Sequence, residues 1–197
     1  MGDRSQILSR RIACANRVWN VYFTHVKDGE AEVSDYLVME PKTRIEGDVT
    51  GVAVLPIVDG RIGLLKIDRV ALDARFIEAP KGFVGPGEEA GGAALRELIE
   101  ETGLICERAD LMALGSMTPE ASTLRARIEL FVALRCHPSG NALDDEIGLG
   151  ALEFVPLDRA RAMAAAAEIE DAATLVALYR LFAKIDSDPM VRAAVLG

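Results

Sequence analysis

Three glutamates, Glu97, Glu100 and Glu101, stand at spacings i, i+3 and i+4, so a helix through this segment carries all three carboxylates one above another on one face. Like charges at that spacing oppose the helix by about 0.2–0.5 kcal/mol per pair, and their place in its C-terminal half also sets them against the macrodipole. A helix selected for stability would not be written this way. A solvated acidic face is the ordinary reading of a run of glutamates, and what argues against it here is the frame. Gly82 is followed after five residues by Glu88 and after seven more by Arg96, while Thr102-Gly103-Leu104 puts a glycine where a helix C-cap belongs. Gly85-Pro86-Gly87 supplies a turn ahead of the helix, and the apolar spacing of Ala94, Leu95 and Leu98 predicts helix over roughly 89–102.

Around this segment the chain reads as alternating strands and helices with no internal repeat and no linker. Strands are expected at 17–26 and 31–40, separated by Lys27-Asp28-Gly29, and at 49–58 and 61–67, separated by the hairpin signal Asp59-Gly60. A short strand at 75–79 ends before Pro80; others are expected at 110–116, 127–136 and 152–157, with closing helices at 158–167 and 170–185. This order predicts an α+β chain in which a mixed sheet is covered by helices, an α/β/α sandwich with an N-terminal antiparallel β extension. We expect residues 1–45 to form that extension and residues 46–197 to form the main domain.

Composition narrows the partners. Half of the 197 residues are hydrophobic, enough for a proper core, and 31 acidic against 22 basic side chains leave a net charge of −9. Neither a nucleic-acid-binding surface nor a membrane-spanning segment is expected from that balance, and the start of the sequence lacks a secretory apolar region, so a cytoplasmic location is expected. Cys14, Cys106 and Cys136 are odd in number and have no CxxC spacing, which predicts reduced core thiols rather than disulfides or a zinc site. His25 and His137 fall at strand edges without a metal-spaced partner and are read as structural.

The segment from Gly82 to Leu104 fulfils the pattern G-x5-E-x7-R-E-U-x-E-E-x-G-U, with U aliphatic, and by it the chain resembles the Nudix hydrolases. At average amino-acid usage the nine fixed positions of that pattern coincide by chance in a chain this long about once in 10⁷. The resemblance implies a Nudix fold and hydrolysis of a diphosphate linked to another group, with Mg²⁺ or Mn²⁺ to neutralise the phosphate oxygens and activate water. Hard cations prefer oxygen ligands, which stacked glutamates supply from a rigid helix. It further implies that Glu97 and Glu101 are the principal metal ligands, that Glu100 is a third ligand or supports them, and that the carbonyl of Lys81 is a further ligand. Arg96 belongs to the same catalytic constellation, though bracing against Glu88 is its favoured role.

Outside the box, Arg69 in LLKIDR, Glu78-Ala79-Pro80 in FIEAPKG and Pro119 resemble segments of the ADP-ribose and nucleoside-diphosphate-sugar pyrophosphatases. By that resemblance Arg69, Glu78, Trp19 and Pro119 are candidate substrate contacts, with Arg69 offering a planar donor fork and Trp19, or Tyr22 near it, stacking on a base. Two departures, Lys81 where alanine is usual and Glu120 after Pro119 where glycine is usual, leave the choice among nucleoside diphosphates open. The subgroup implies a homodimer whose N-terminal strands reach the partner's site, and a late-loop acid that orients or deprotonates water. Glu146 is the candidate for that acid, with Asp145 and Asp144 beside it. The expected activity is release of a nucleoside monophosphate and a phosphorylated remainder from ADP-ribose, GDP-mannose or a related ADP compound. The competing readings are a dinucleotide or CoA pyrophosphatase and, in a different class, a nucleotide-sugar sensor without turnover.

Overall fold

Asp59 and Gly60 both adopt positive φ, 48° and 70°, the conformation that lets a two-residue turn match the twist of the strands it joins. The hairpin they close lies at the centre of the main sheet. The computed structural model describes residues 5–140 and 147–196. In chain order the elements are β1 (Gln6–Ala15), β2 (Trp19–Asp28), β3 (Ala31–Pro41), β4 (Val49–Val58), β5 (Arg61–Arg69), β6 (Ala74–Glu78), β7 (Lys81–Phe83), α1 (Ala90–Thr102) and β8 (Leu104–Ile105). They continue with β9 (Leu111–Met117), β10 (Arg127–Ala133), β11 (His137–Pro138), β12 (Leu149–Pro156), α2 (Leu157–Ala165), α3 (Ala172–Ser187) and α4 (Pro189–Leu196).

The main sheet has seven strands in the order β12-β5-β4-β10-β9, with β6 added to β5 and β7 to β4. β4 and β10 run parallel while the other pairs are antiparallel, so the sheet is mixed. β4 is buried along nearly its whole length, as a strand covered on both faces must be, and its successive residues feed two cores. Ala53, Leu55 and Ile57 pack with Leu178, Leu181 and Ile169 on the side of α2, α3 and α4. Val52 and Val54 pack with Ala93, Ala94 and Leu98 of α1 on the other. Burying Leu98 completely contributes about 1.5–3 kcal/mol, more than the repulsion among the glutamates on the rest of the helix removes. That packing holds the acidic face in place.

β4 and β5 pair only at Ile57–Ile62 and Val58–Arg61, next to their turn. Beyond that point they part, and β7 takes over the edge of β4 while β6 and β12 flank β5. The parting places the strand ends of Arg69, Glu78 and Lys81 near one another. The N-terminal strands form a separate antiparallel sheet β1-β2-β3. It meets the segment ahead of β10 where Met39 exchanges backbone bonds with Thr123 and Arg125, at 2.7 and 2.9 Å.

Several expectations shift. β1 was not expected as a strand, because Arg10-Arg11 interrupts its apolar residues; every residue of it is exposed, so pairing with β2 rather than burial forms it. α4 was also unexpected; its Val195 is buried under the sheet. The strand expected to reach 136 stops at Ala133 because the Leu134 amide turns to the Asp110 carbonyl (3.0 Å) and Arg135 takes a φ of 52°. Of the three cysteines only Cys136 is a core thiol; Cys14 is exposed and Cys106 intermediate, and all are free. His25 lies 2.6 Å from Glu32 across the hairpin, a carboxylate partner that sequence spacing did not reveal. Among the described residues no helix is long and apolar enough to cross a membrane.

Candidate active site

α1 begins after Glu89 and ends at Gly103, whose φ of 67° lets its amide close back on the Ile99 carbonyl. The loop before it is wound on two side chains. Glu88 accepts from the Gly85 amide (2.7 Å) and takes both arms of Arg96, each at 3.0 Å. The Arg96 guanidinium holds the Glu88 carboxyl below the usual carboxylate range, outweighing the upward push of burial, with the Gly85 amide assisting. Arg96 also donates to the Phe83 carbonyl (2.9 Å) and, through Nη1, to Glu97 and Glu100, both at 2.7 Å. Five hydrogen bonds from one guanidinium to four residues make Arg96 a brace between loop and helix.

Glu97 and Glu101 are buried, at 5% and 3% exposure. Glu101 Oε2 accepts the Lys81 amide at 2.9 Å. Within a strand the N–H and C=O of one residue point the same way, and the Val54 amide bonds Pro80 next to it, so the Lys81 carbonyl also turns from β4 towards α1. Gly82 passes so close under the helix that a Cβ there would overlap the Glu97 carboxylate. These are hard oxygen donors of the kind Mg²⁺ and Mn²⁺ take, and their chemistry fits a divalent cation. They are not gathered on one point: no cluster of three or more His, Cys, Asp or Glu side chains at metal spacing occurs among the described residues. Glu97 and Glu100 instead share Arg96.

Beside the acidic face lies a largely apolar cavity of about 270 Å³, lined among others by Trp19, Arg69, Lys81, Gly82, Phe83 and Pro119. The rings of Trp19 and Phe83 meet edge to face, 5.7 Å between centroids and 77° between planes. Trp19 thus lines the cavity of its own chain. Tyr22 is covered by the Arg10 guanidinium, 4.4 Å from its ring centre.

Arg69 borders the cavity, but its fork is already engaged: Nε and Nη2 donate to the two oxygens of Glu78 at 3.0 and 2.5 Å. Glu78 is 2% exposed and also takes Lys81 Nζ at 2.7 Å. It anchors basic side chains and does not line the cavity. The same ammonium contacts Asp171 Oδ1, a residue that sequence reasoning missed. Asp171 caps α3 by accepting from the Thr174 amide (2.9 Å) and hydroxyl (2.7 Å), and the D-x-x-T spacing ahead of an apolar helix was the available signal. Burial pushes Asp171 up, but the Lys81 ammonium and the Thr174 donors prevail and leave it below the usual carboxylate range. Asp144, Asp145 and Glu146 lie outside the described residues.

A NUDIX domain model matches residues 48–178. The chain is 31% identical over 131 residues to the ADP-ribose pyrophosphatase of Bacillus subtilis (strain 168), covering 66% of this chain and 70% of that protein. It is likewise 31% identical over 133 residues to the methanol dehydrogenase activator of Bacillus methanolicus, again 66% and 70% of the two. A solved structure described as an ADP compounds hydrolase superposes with a TM-score of 0.79 at 20% identity, over 95% of this chain and 97% of that one, a likeness of fold. With the domain model matched over 48–178, and the segment from Gly82 to Leu104 running from β7 through α1 within it, the chain belongs to the NUDIX domain family.

Proposed function

We propose that this chain is a metal-dependent pyrophosphohydrolase that splits the diphosphate of a nucleoside diphosphate linked to a sugar, ADP-ribose foremost, into a nucleoside monophosphate and a phosphorylated remainder. One observation carries the reading: the buried carboxylates of Glu97 and Glu101 and an apolar cavity holding Trp19 and Phe83 share the segment Lys81-Gly82. A diphosphate held at the acids leaves its base within reach of the aromatic pair. The likeness to an ADP-ribose pyrophosphatase of Bacillus subtilis supports ADP-ribose.

Glu97, Glu101, Glu100 and the Lys81 carbonyl would hold Mg²⁺ or Mn²⁺, which when bound neutralises phosphate oxygens and acidifies a water. Arg96 keeps the ligand face in register with the loop, and the base that receives the water's proton is drawn from Glu146, Asp145 and Asp144. Trp19 stacks on the adenine. Arg69 meets substrate with a guanidinium pre-oriented by Glu78, and Pro119 closes the cavity wall. The exposed apolar residues of the N-terminal sheet, Ile7, Ile12, Val33 and Leu37 among them, support a homodimer formed through that sheet, which light scattering tests directly.

The deciding experiment is a panel of ADP-ribose, GDP-mannose, UDP-glucose, NADH and a dinucleoside polyphosphate, each assayed with and without Mg²⁺. Preference for ADP-ribose with release of AMP is the expected result; turnover confined to NADH or the dinucleoside polyphosphate overturns the substrate assignment. Trp19→Ala should raise KM for ADP-ribose about tenfold with kcat little changed, since a stacked base contributes about 1–3 kcal/mol of binding. Unchanged KM would remove Trp19 from the base site. Gly82→Ala should lower kcat about tenfold while the melting temperature moves by a few degrees at most, because the clash falls on the movable end of Glu97 rather than on backbone. Steady-state kinetics beside a thermal melt separates that result from simple misfolding.

A further inference from the structure

We propose that Asp171, acting through the ammonium of Lys81, is a positioning residue that sets the metal affinity of Glu101. The inference rests on the metal-site reading given above. Lys81 faces both ways. Its amide holds the Glu101 carboxylate at 2.9 Å, and its Nζ is held between Glu78, at 2.7 Å, and Asp171.

The strand that carries this residue is short. β7 comprises Lys81–Phe83 and pairs with β4 on one side, with the Val54 amide on the Pro80 carbonyl (2.9 Å) and the Val84 amide on the Thr50 carbonyl (3.1 Å) at its two ends. The N-terminus of α3 grips the same segment at two further points. Thr174 Oγ1 accepts the Ala79 amide at 2.8 Å, and Asp171 takes the Lys81 ammonium. Asp171 has no oxygen to spare: Oδ2 serves Thr174 and Oδ1 serves Lys81. The side chains of Lys81, Glu78 and Asp171 are 19%, 3% and 15% exposed, so the contact is shielded from the solvent that weakens surface pairs.

The chain of contacts therefore runs from the α3 cap to Lys81 and from the Lys81 amide to Glu101. Ligand carboxylates must be held to within about 0.5 Å for tight binding, and partners one contact removed from a ligand typically alter metal affinity 10–100-fold. Loss of the Asp171 charge lets the Lys81 side chain swing wholly to Glu78 and frees the β7 backbone to follow it. Glu101 then loses the fixed donor that orients it.

Asn caps a helix as well as Asp does, so Asp171→Asn keeps the α3 cap and removes the charge that faces Lys81. Mn²⁺ binding to the full chain, read from the EPR signal of the free ion without substrate, gives the affinity independently of turnover. The expected result is a Kd about tenfold weaker in D171N, with the metal-free chain still folded and its melting temperature lowered by the loss of a shielded ion pair. Lys81→Met should weaken binding to a similar degree, Lys81→Arg should recover part of the loss, and the double variant D171N/K81M should be no weaker than the worse single variant, because both act through one contact. Wild-type affinity in D171N, or losses that multiply in the double variant, overturn the proposal. A wild-type chain that binds no Mn²⁺ overturns the metal-site reading and this inference with it, so the two failures are told apart by the wild-type titration.

Discussion

Excess EDTA is expected to reduce hydrolysis of ADP-ribose to the uncatalysed background, and added Mg²⁺ or Mn²⁺ to restore it. The acidic face has Glu97 and Glu101 at 5% and 3% exposure and Glu100 beside them, with Arg96 the basic side chain bonded to Glu97 and Glu100. That guanidinium is already shared among Glu88, Glu97 and Glu100, and a diphosphate brought beside this face adds further negative charge. Without a divalent cation the attacking water meets a polyanion with nothing to withdraw charge from its phosphorus. The same imbalance has a signature in stability. A cation that binds the folded chain and not the unfolded one stabilises by RT ln(1 + [L]/Kd), about 2.7 kcal/mol at a hundred times Kd, which for a chain of this size is roughly 5–10 °C in melting temperature. Undiminished turnover in excess chelator would falsify the metal-dependent mechanism, and a melting curve indifferent to Mg²⁺ and Mn²⁺ would place their site elsewhere.

The sequence was most readable where one short-range rule determined the structure. Glutamates at helical spacing, Gly103 at a position needing positive φ and the Asp59-Gly60 turn each state their conformation locally, and each is found as expected. β1 and α4 escaped notice for the opposite reason. β1 is held by pairing with β2 and shows no buried face to betray it, and α4 begins at Pro189, within a few residues of the α3 terminus, where a proline reads as a stop. At the site, the Glu88–Arg96 brace was foreseen because both ends lie in the box. The engagement of Arg69 by Glu78 and of Lys81 by Asp171 was not, since the latter pair is 90 residues apart in the chain. Local spacing identifies donors, whereas their partners depend on how β4 and β5 part and where α3 lands. That is why the carboxylate face of α1 was legible and the network of partners around it was not.

Glu101→Gln is expected to lower kcat for ADP-ribose by about 10² or more, with the chain still folded. The substitution keeps side-chain volume and helix propensity, and the amide oxygen still accepts from Lys81, so the 2.9 Å contact that ties helix to strand survives. What disappears is one negative charge on a face of three, which leaves the cation held by fewer anionic oxygens. Glu89→Gln is the control for charge as such. Glu89 lies outside the fixed pattern, is 72% exposed at its side chain and pairs with Arg108 at the surface, at 2.5 Å. A pair of that kind contributes about 0–1 kcal/mol, so kcat should stay within about twofold of wild type by the same ranking of exposed against buried charge. Circular dichroism and steady-state kinetics on the two variants decide the matter: equal losses would mean that the acidic face acts through its overall charge, and a large loss confined to Glu101→Gln assigns the metal to the buried carboxylate that Lys81 holds.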